Sequence, residues 1–190
     1  MNWDKKQFSA GGGTFKLAML VIAGAYMLYF SITHSRDCTI GFISGYTAAV
    51  GVVHGADVGS YYEDEVFAQR VKDICETTSD IYSPNPPTYA LMMLPLTVFD
   101  FPVAKAIWTV LNLLMLALIC VLINRHLDGI HWSVVLLFML AFQPLYANMR
   151  MGQNYVFLLL MVTLIWSGWK SNRDWMMIAG LVLMTIFKLG

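Results

Sequence analysis

The chain has 190 residues, 58% hydrophobic and only 13% charged, with twelve acids balancing twelve bases. Soluble chains carry roughly a quarter charged residues, so the composition excludes an ordinary soluble domain. Apolar blocks such as 104–123 leave no polar face, which points to a multi-pass membrane protein.

Residues 1–16 carry Lys5, Lys6 and Lys16 against Asp4 and read as a cytoplasmic tail. The apolar run over 17–32 is expected to be a first transmembrane helix, its basic end inside. A cleaved signal peptide fits less well, because the apolar part ahead of Ala23-Gly24-Ala25 is shorter than a normal signal core.

Residues 33–87 hold eight of the twelve acids and three of the twelve bases, about −5 against about +5 elsewhere. The stretch is expected to be an extracytoplasmic loop with short helices. Within it, 41–53 is small-residue-rich and suits a helix or turn at the interface. Ser60-Tyr61-Tyr62-Glu63 has the form of a capping box for a helix with Phe67, Val71 and Ile74 on one face. Asn85 followed by Pro86 predicts another helix start. Cys38 and Cys75 can pair if the stretch faces an oxidising compartment, whereas Cys120 is a small apolar residue within a helix.

Residues 88–190 read as a transmembrane helical region. Thr88–Phe99 is only about 18 Å long as a helix, short of a ~30 Å hydrocarbon core, so it is re-entrant or interfacial, or else crosses. Residues 103–124, 132–146, 155–169 and 175–187 are the further expected helices. If Thr88–Phe99 does not cross, Arg125, Lys170 and Arg173 fall inside with the N-terminal lysines. The acidic stretch, 150–154 and Lys188 then share the outer face. The chain stops at Gly190 without a polar tail, so it reads as the N-terminal part of a longer protein.

Ionisable and amide groups at membrane depth are costly and are functional candidates by default. Arg150 and Gln153 sit where two helices meet, and Lys188 ends the last one. An arginine fork and a lysine point charge suit a lipid phosphate; snorkelling to headgroups is the bland reading. Asn112 is expected to bond a neighbouring helix. A loop carboxylate, Asp37, Asp57 or Asp80, could serve as general base on a sugar hydroxyl. Glu63, Asp64 and Glu65 are better explained as first-turn acids stabilised by the helix dipole. Tyr61 and Tyr62 suit either sugar stacking or interfacial anchoring. The four histidines and three cysteines show no metal-ligand spacing, and no basic patch suggests nucleic acid.

Several runs occur in an order that resembles glycosyltransferase family 87. They are Gly45-Tyr46-Thr47-Ala48-Ala49, Ser83-Pro84-Asn85-Pro86-Pro87-Thr88, Leu94-Pro95-Leu96, Gln143-Pro144-Leu145, Arg150-Met151-Gly152-Gln153-Asn154 and Ala179-Gly180-Leu181 leading to Lys188. The resemblance implies an all-α, polytopic helical bundle of the C-type glycosyltransferase kind. It implies hexosyl transfer, often of mannose, from a polyprenyl-phosphate donor to a glycan or glycolipid acceptor. That transfer takes place at the outer face of the plasma (inner) membrane. It places Arg150, Gln153 and Lys188 near the lipid phosphate, and Tyr82 and Asn85 along the cavity. No cofactor is implied. The family's aspartate stands where this chain has Gly41, so the base falls to Asp37, Asp57 or Asp80. The rival expectations are a transporter or flippase of a lipid-linked or anionic substrate, or a non-catalytic membrane homologue.

Overall fold

The apolar runs of the sequence fold as helices, in an order that follows their punctuation. The computed structural model describes residues 11–127 and 132–189, and among these there is no strand. The helices are α1 Gly11–His34, α2 Phe42–Val53, α3 Asp64–Ile74, α4 Pro87–Met93, α5 Phe101–Asn124, α6 Trp132–Ala141, α7 Gln143–Met151, α8 Tyr155–Lys170 and α9 Asp174–Met184. Tight 3₁₀ turns cover Val58–Tyr62 and Leu94–Val98, and a wider π turn covers Thr185–Leu189. Lys5, Lys6 and the 128–131 part of the polar turn lie outside the described residues, as does the side chain of Lys188.

Among the described residues one helix, α5, is long and apolar enough to cross a membrane. Its 24 residues extend about 36 Å, more than the hydrocarbon thickness. The expected continuous span over 132–146 is instead broken: Ser133–Ala141 and Gln143–Met151 meet at 65°, with Phe142 extended between them. Pro144 explains the break, since it has no N–H for the carbonyl of Leu140 and its ring crowds that carbonyl. The Tyr146 hydroxyl donates to the stranded Leu140 carbonyl at 2.8 Å. The other apolar helical stretches with described side chains, Ala18–His34 of α1 among them, run to 10–17 residues. Among the described residues there is thus one clear span, or two if the bent pair counts as one.

Two cores divide the molecule. The first joins α2, α3, α4 and the start of α5 around Phe42, Phe67, Val71, Tyr82, Met93 and Trp108. Complete burial of a Phe or Val adds roughly 1.5–3 kcal/mol each. The second joins α1, α5, α7, α8 and α9 around Met27, Ile119, Leu145, Leu160 and Met176. Helix α2 is at the centre of the first core rather than on an interface: Gly45, Ala48, Ala49 and Gly51 read as only moderately apolar because small residues are what close packing needs there.

Two local starts also differ from expectation. Ser60 donates its hydroxyl to the Asp57 carbonyl instead of capping a helix, and α3 begins after Glu63 with no side-chain cap. Helix α4 begins at Pro87, one residue late, while the Asn85 amide donates to the Tyr82 carbonyl at 2.8 Å. Either of two consecutive prolines can open a helix, so sequence alone does not choose between them.

The elements sort to two ends. The acidic segment meets the α7–α8 turn, where Thr39 donates to the Arg150 carbonyl and Trp108 to the Gly152 carbonyl. Helix α4 and its 3₁₀ turn pack on α2 at this same end, and Thr88 donates to the Ile186 carbonyl of the π turn. At the other end His126, after α5, pairs with Ser167 near the close of α8 at 2.8 Å.

Gly152 makes the joint at the first end. It takes φ +65° as the left-handed cap of α7, and an added Cβ would lie 2.7 Å from Phe42 Cβ. Gly152→Ala is expected to destabilise the protein by about 2–4 kcal/mol, from backbone strain plus overpacking. A thermal melt in detergent micelles reads this; an unchanged midpoint would contradict the packing.

Candidate functional site

The polar cavity of the molecule forms where three segments that are distant in sequence converge. Residues 40–44 enter α2, residues 80–89 enter α4, and residues 153–155 enter α8. The cavity has a volume of about 180 Å³ and is lined by Gly41, Asp80, Asn85, Tyr89, Gln153 and Asn154 among others. Asp80 is its one acid among the described residues. Its Oδ2 accepts the Gly41 N–H at 2.8 Å and its Oδ1 the Ile81 N–H at 3.0 Å. Each carboxylate oxygen has a second lone-pair site, so both can still accept from a bound hydroxyl.

Gly41 is required where it stands. Its φ of +104° is strained for any L side chain, and a Cβ there would meet Gln153 Cγ at 2.8 Å. A side chain at position 41 is therefore disfavoured, and its backbone N–H is what meets the Asp80 carboxylate.

Three ties hold the Asp80 segment in place. The Cys38 and Cys75 sulfurs are bonded, with Cα atoms 6.3 Å apart, within the usual range. Thr78 Oγ1 donates to the Cys38 carbonyl at 2.9 Å, and the Asp80–Gly41 bond closes the set. Residues 38–41 and 75–80 thus run side by side.

The other expected acids sit elsewhere. Asp57 is exposed, at the start of the 3₁₀ turn. Asp37 is half-buried, and its main-chain carbonyl, not its carboxylate, accepts the Lys105 ammonium. Lys105 is fully buried on α5 and also donates to Thr39 Oγ1 at 2.9 Å. It lay unnoticed within an apolar run, although a lone lysine at membrane depth is itself a signal. Asn112 turns back on its own helix to the Trp108 carbonyl, not to a neighbour.

Tyr82 does not line the cavity. It is fully buried, with its hydroxyl donating to the Pro86 carbonyl at 2.7 Å and accepting the Ala90 N–H. Burial raises its phenol pKa, keeping it a donor. Tyr61 is buried with it, and Tyr62 donates to the Asn85 carbonyl at 2.9 Å, so the tyrosines build the cavity wall from behind.

Arg150 is exposed and faces two neighbouring cavities. One, lined by Thr39, Thr77, Thr78 and Ser79, shares Ile40 with the Asp80 cavity. The other lies beside Tyr26, Phe30 and Tyr146. Tyr155 lines both the polar cavity and an apolar groove of about 760 Å³ between α5, α6, α7 and α8. Asn148 is the polar side chain on that groove. Among the described residues no three His, Cys, Asp or Glu gather as a metal site.

The arrangement places a carboxylate and amides in a small polar cavity that shares Tyr155 with an apolar groove, a pairing that suits an amphiphile. A family model described as glycosyltransferase family 87 matches residues 84–189, more than half of the chain. The match takes in Asn85, the α7–α8 turn and the groove, and begins just after Asp80. No curated protein and no solved structure matches the chain.

Proposed function

The chain belongs to glycosyltransferase family 87, and from that premise we propose that it transfers a hexose from a polyprenyl-phosphate donor, with Asp80 as general base. The observation that carries this reading is the Asp80 carboxylate, fixed by two backbone N–H groups in a polar cavity beside an apolar groove. The groove takes the isoprenoid tail and the cavity the sugar.

In the reaction, an acceptor hydroxyl attacks the anomeric carbon as its proton passes to Asp80. The new C–O bond forms while the bond from the anomeric carbon to phosphate oxygen breaks. The electron pair leaves on the lipid phosphate, and attack from the opposite face inverts the centre. Gln153 lines the cavity, and Arg150 stands beside it as the fork for the phosphate. Lys188 follows Ile186, whose carbonyl is tied to α4, so its backbone joins the same end.

The disulfide supports an oxidising, extracytoplasmic setting for this end, with the chain held in the plasma (inner) membrane by α5 and the helices around it. The acceptor is a glycan or glycolipid.

Arg150→Ala is expected to lower kcat/KM by about 10- to 100-fold, the loss of a charge-assisted hydrogen bond of roughly 1.5–3 kcal/mol. Arg150→Lys, a point charge, should recover part of it. The test of the function is label transfer in membranes supplied with radiolabelled polyprenyl-phosphate hexoses and lipid acceptors. Transfer from at least one donor is expected; none from any of them would remove the transferase reading.

A further inference from the structure

Two side chains on the Asp80 cavity, Tyr89 and Asn154, carry hydrogen-bond donors that no described protein group uses. Tyr89 is 3% exposed on α4, its ring laid on Gly45 so closely that a Cβ there would fall 2.6 Å from its Cε1. Its hydroxyl makes no hydrogen bond to a described residue. Of the neighbouring tyrosines, Tyr82 both donates and accepts and Tyr46 donates to the Phe99 carbonyl at 2.7 Å, while the Tyr61 hydroxyl is buried without a described partner but does not line the cavity. Asn154 is 6% exposed, and its amide nitrogen is buried without a partner. A buried donor is normally satisfied, and the Asn154 nitrogen is not; beside it the Tyr89 hydroxyl is accessible with no described protein partner, so a ligand in the cavity they line would give both an acceptor.

The chemistry of that ligand follows from the set. Burial, and after it the nearby Tyr82 and Asp80, raise the Tyr89 phenol pKa, so it remains a hydrogen-bond donor at physiological pH. Asn154 adds amide donors and Asp80 adds acceptors. A group that accepts from the first two while donating to the third is a hydroxyl. A ring bearing several hydroxyls fits a small cavity with aromatic side chains at Tyr89 and Tyr155.

Building on the transferase reading, we infer that the Tyr89 hydroxyl and the Asn154 amide are the donors of a hexopyranose subsite, gripping ring hydroxyls of the sugar handled by Asp80. Gly45 belongs to this device, because only a residue without a Cβ lets the Tyr89 ring lie where it does.

The test uses the full chain in detergent micelles, with Tyr89→Phe and Asn154→Leu beside wild type. Thermal unfolding is followed with and without methyl α-mannopyranoside or methyl β-glucopyranoside. Without sugar, both variants are expected to melt at or above the wild-type midpoint, since neither loses a protein partner. With sugar, the wild-type midpoint rises, and the apparent affinity is at least tenfold weaker in each variant. A lower midpoint without sugar, or an undiminished sugar response in Tyr89→Phe, would overturn the assignment. A wild type that transfers hexose but shows no sugar-dependent shift overturns it too, and leaves the role of Asp80 standing. Sugar binding that depends on Tyr89, in a chain that transfers nothing, keeps the subsite and removes the transferase reading.

Discussion

Asp80→Asn is expected to reduce hexosyl transfer by at least 100-fold while the protein still folds, its midpoint lowered by no more than the one backbone bond, from Ile81, that the amide nitrogen cannot accept. General-base assistance contributes about 10²- to 10⁴-fold, and an amide cannot take the acceptor proton. The substitution is nearly isosteric, and its carbonyl oxygen can still accept the Gly41 N–H that the carboxylate accepts at 2.8 Å. Asp37→Asn and Asp57→Asn are the matched controls. The Lys105 ammonium holds the Asp37 main chain, which the substitution keeps, and Asp57 is exposed away from the cavity. Both should stay within about fivefold of wild type, because neither removes a group in reach of the acceptor proton. Transfer assays paired with thermal melts separate the cases. Near-wild-type transfer by Asp80→Asn would remove the base assignment, and loss in Asp37→Asn alone would move it to the Lys105 neighbourhood.

The second large effect is expected at the disulfide. Cys38 and Cys75 close a loop with a sequence separation of 37, for which the chain-entropy relation gives about 4 kcal/mol, with 2–4 kcal/mol typical. Cys75→Ser should lower the melting midpoint accordingly. It should also impair transfer by tenfold or more, because the bond fixes residues 38–41 against the segment that delivers Asp80. Thr78→Val removes one hydrogen bond from the same seam and should cost only about 1 kcal/mol. An impermeant reductant applied to intact cells tests sidedness with the same readout: the account expects activity to fall. A Cys75→Ser protein as stable and active as wild type would contradict the seam's role.

Much of this was legible where the signal is local. Long apolar runs gave α5 and α8 within two residues of their bounds, and Phe67 and Val71 are the buried face of α3 as their spacing predicts. Legibility failed where a tertiary contact outweighs local propensity. The Ser60 hydroxyl had two uses, a helix cap or a turn, and the turn won. Pro144 was visible, but whether it kinks or ends a helix depends on what satisfies the Leu140 carbonyl, and that is a side chain six residues away. Choosing among Asp37, Asp57 and Asp80 depends on a contact 39 residues apart, between Asp80 and Gly41, which no periodicity encodes. Tyr82, Tyr89 and Asn154 show the same limit. One tyrosine is a core strut and the other borders the cavity, and only the hydrogen bonds tell them apart.

The most direct measurement is to photolabel the site with its own substrate. A polyprenyl-phosphate hexose bearing a diazirine on the sugar is bound to the Asp80→Asn protein, which should hold it without turning it over, then irradiated and mapped by mass spectrometry. The account predicts adducts on the cavity wall, within 80–89 and 153–155, competed by unlabelled donor. Competed adducts confined to Asp57 and its turn, or to the far end near His126 and Ser171, would contradict it.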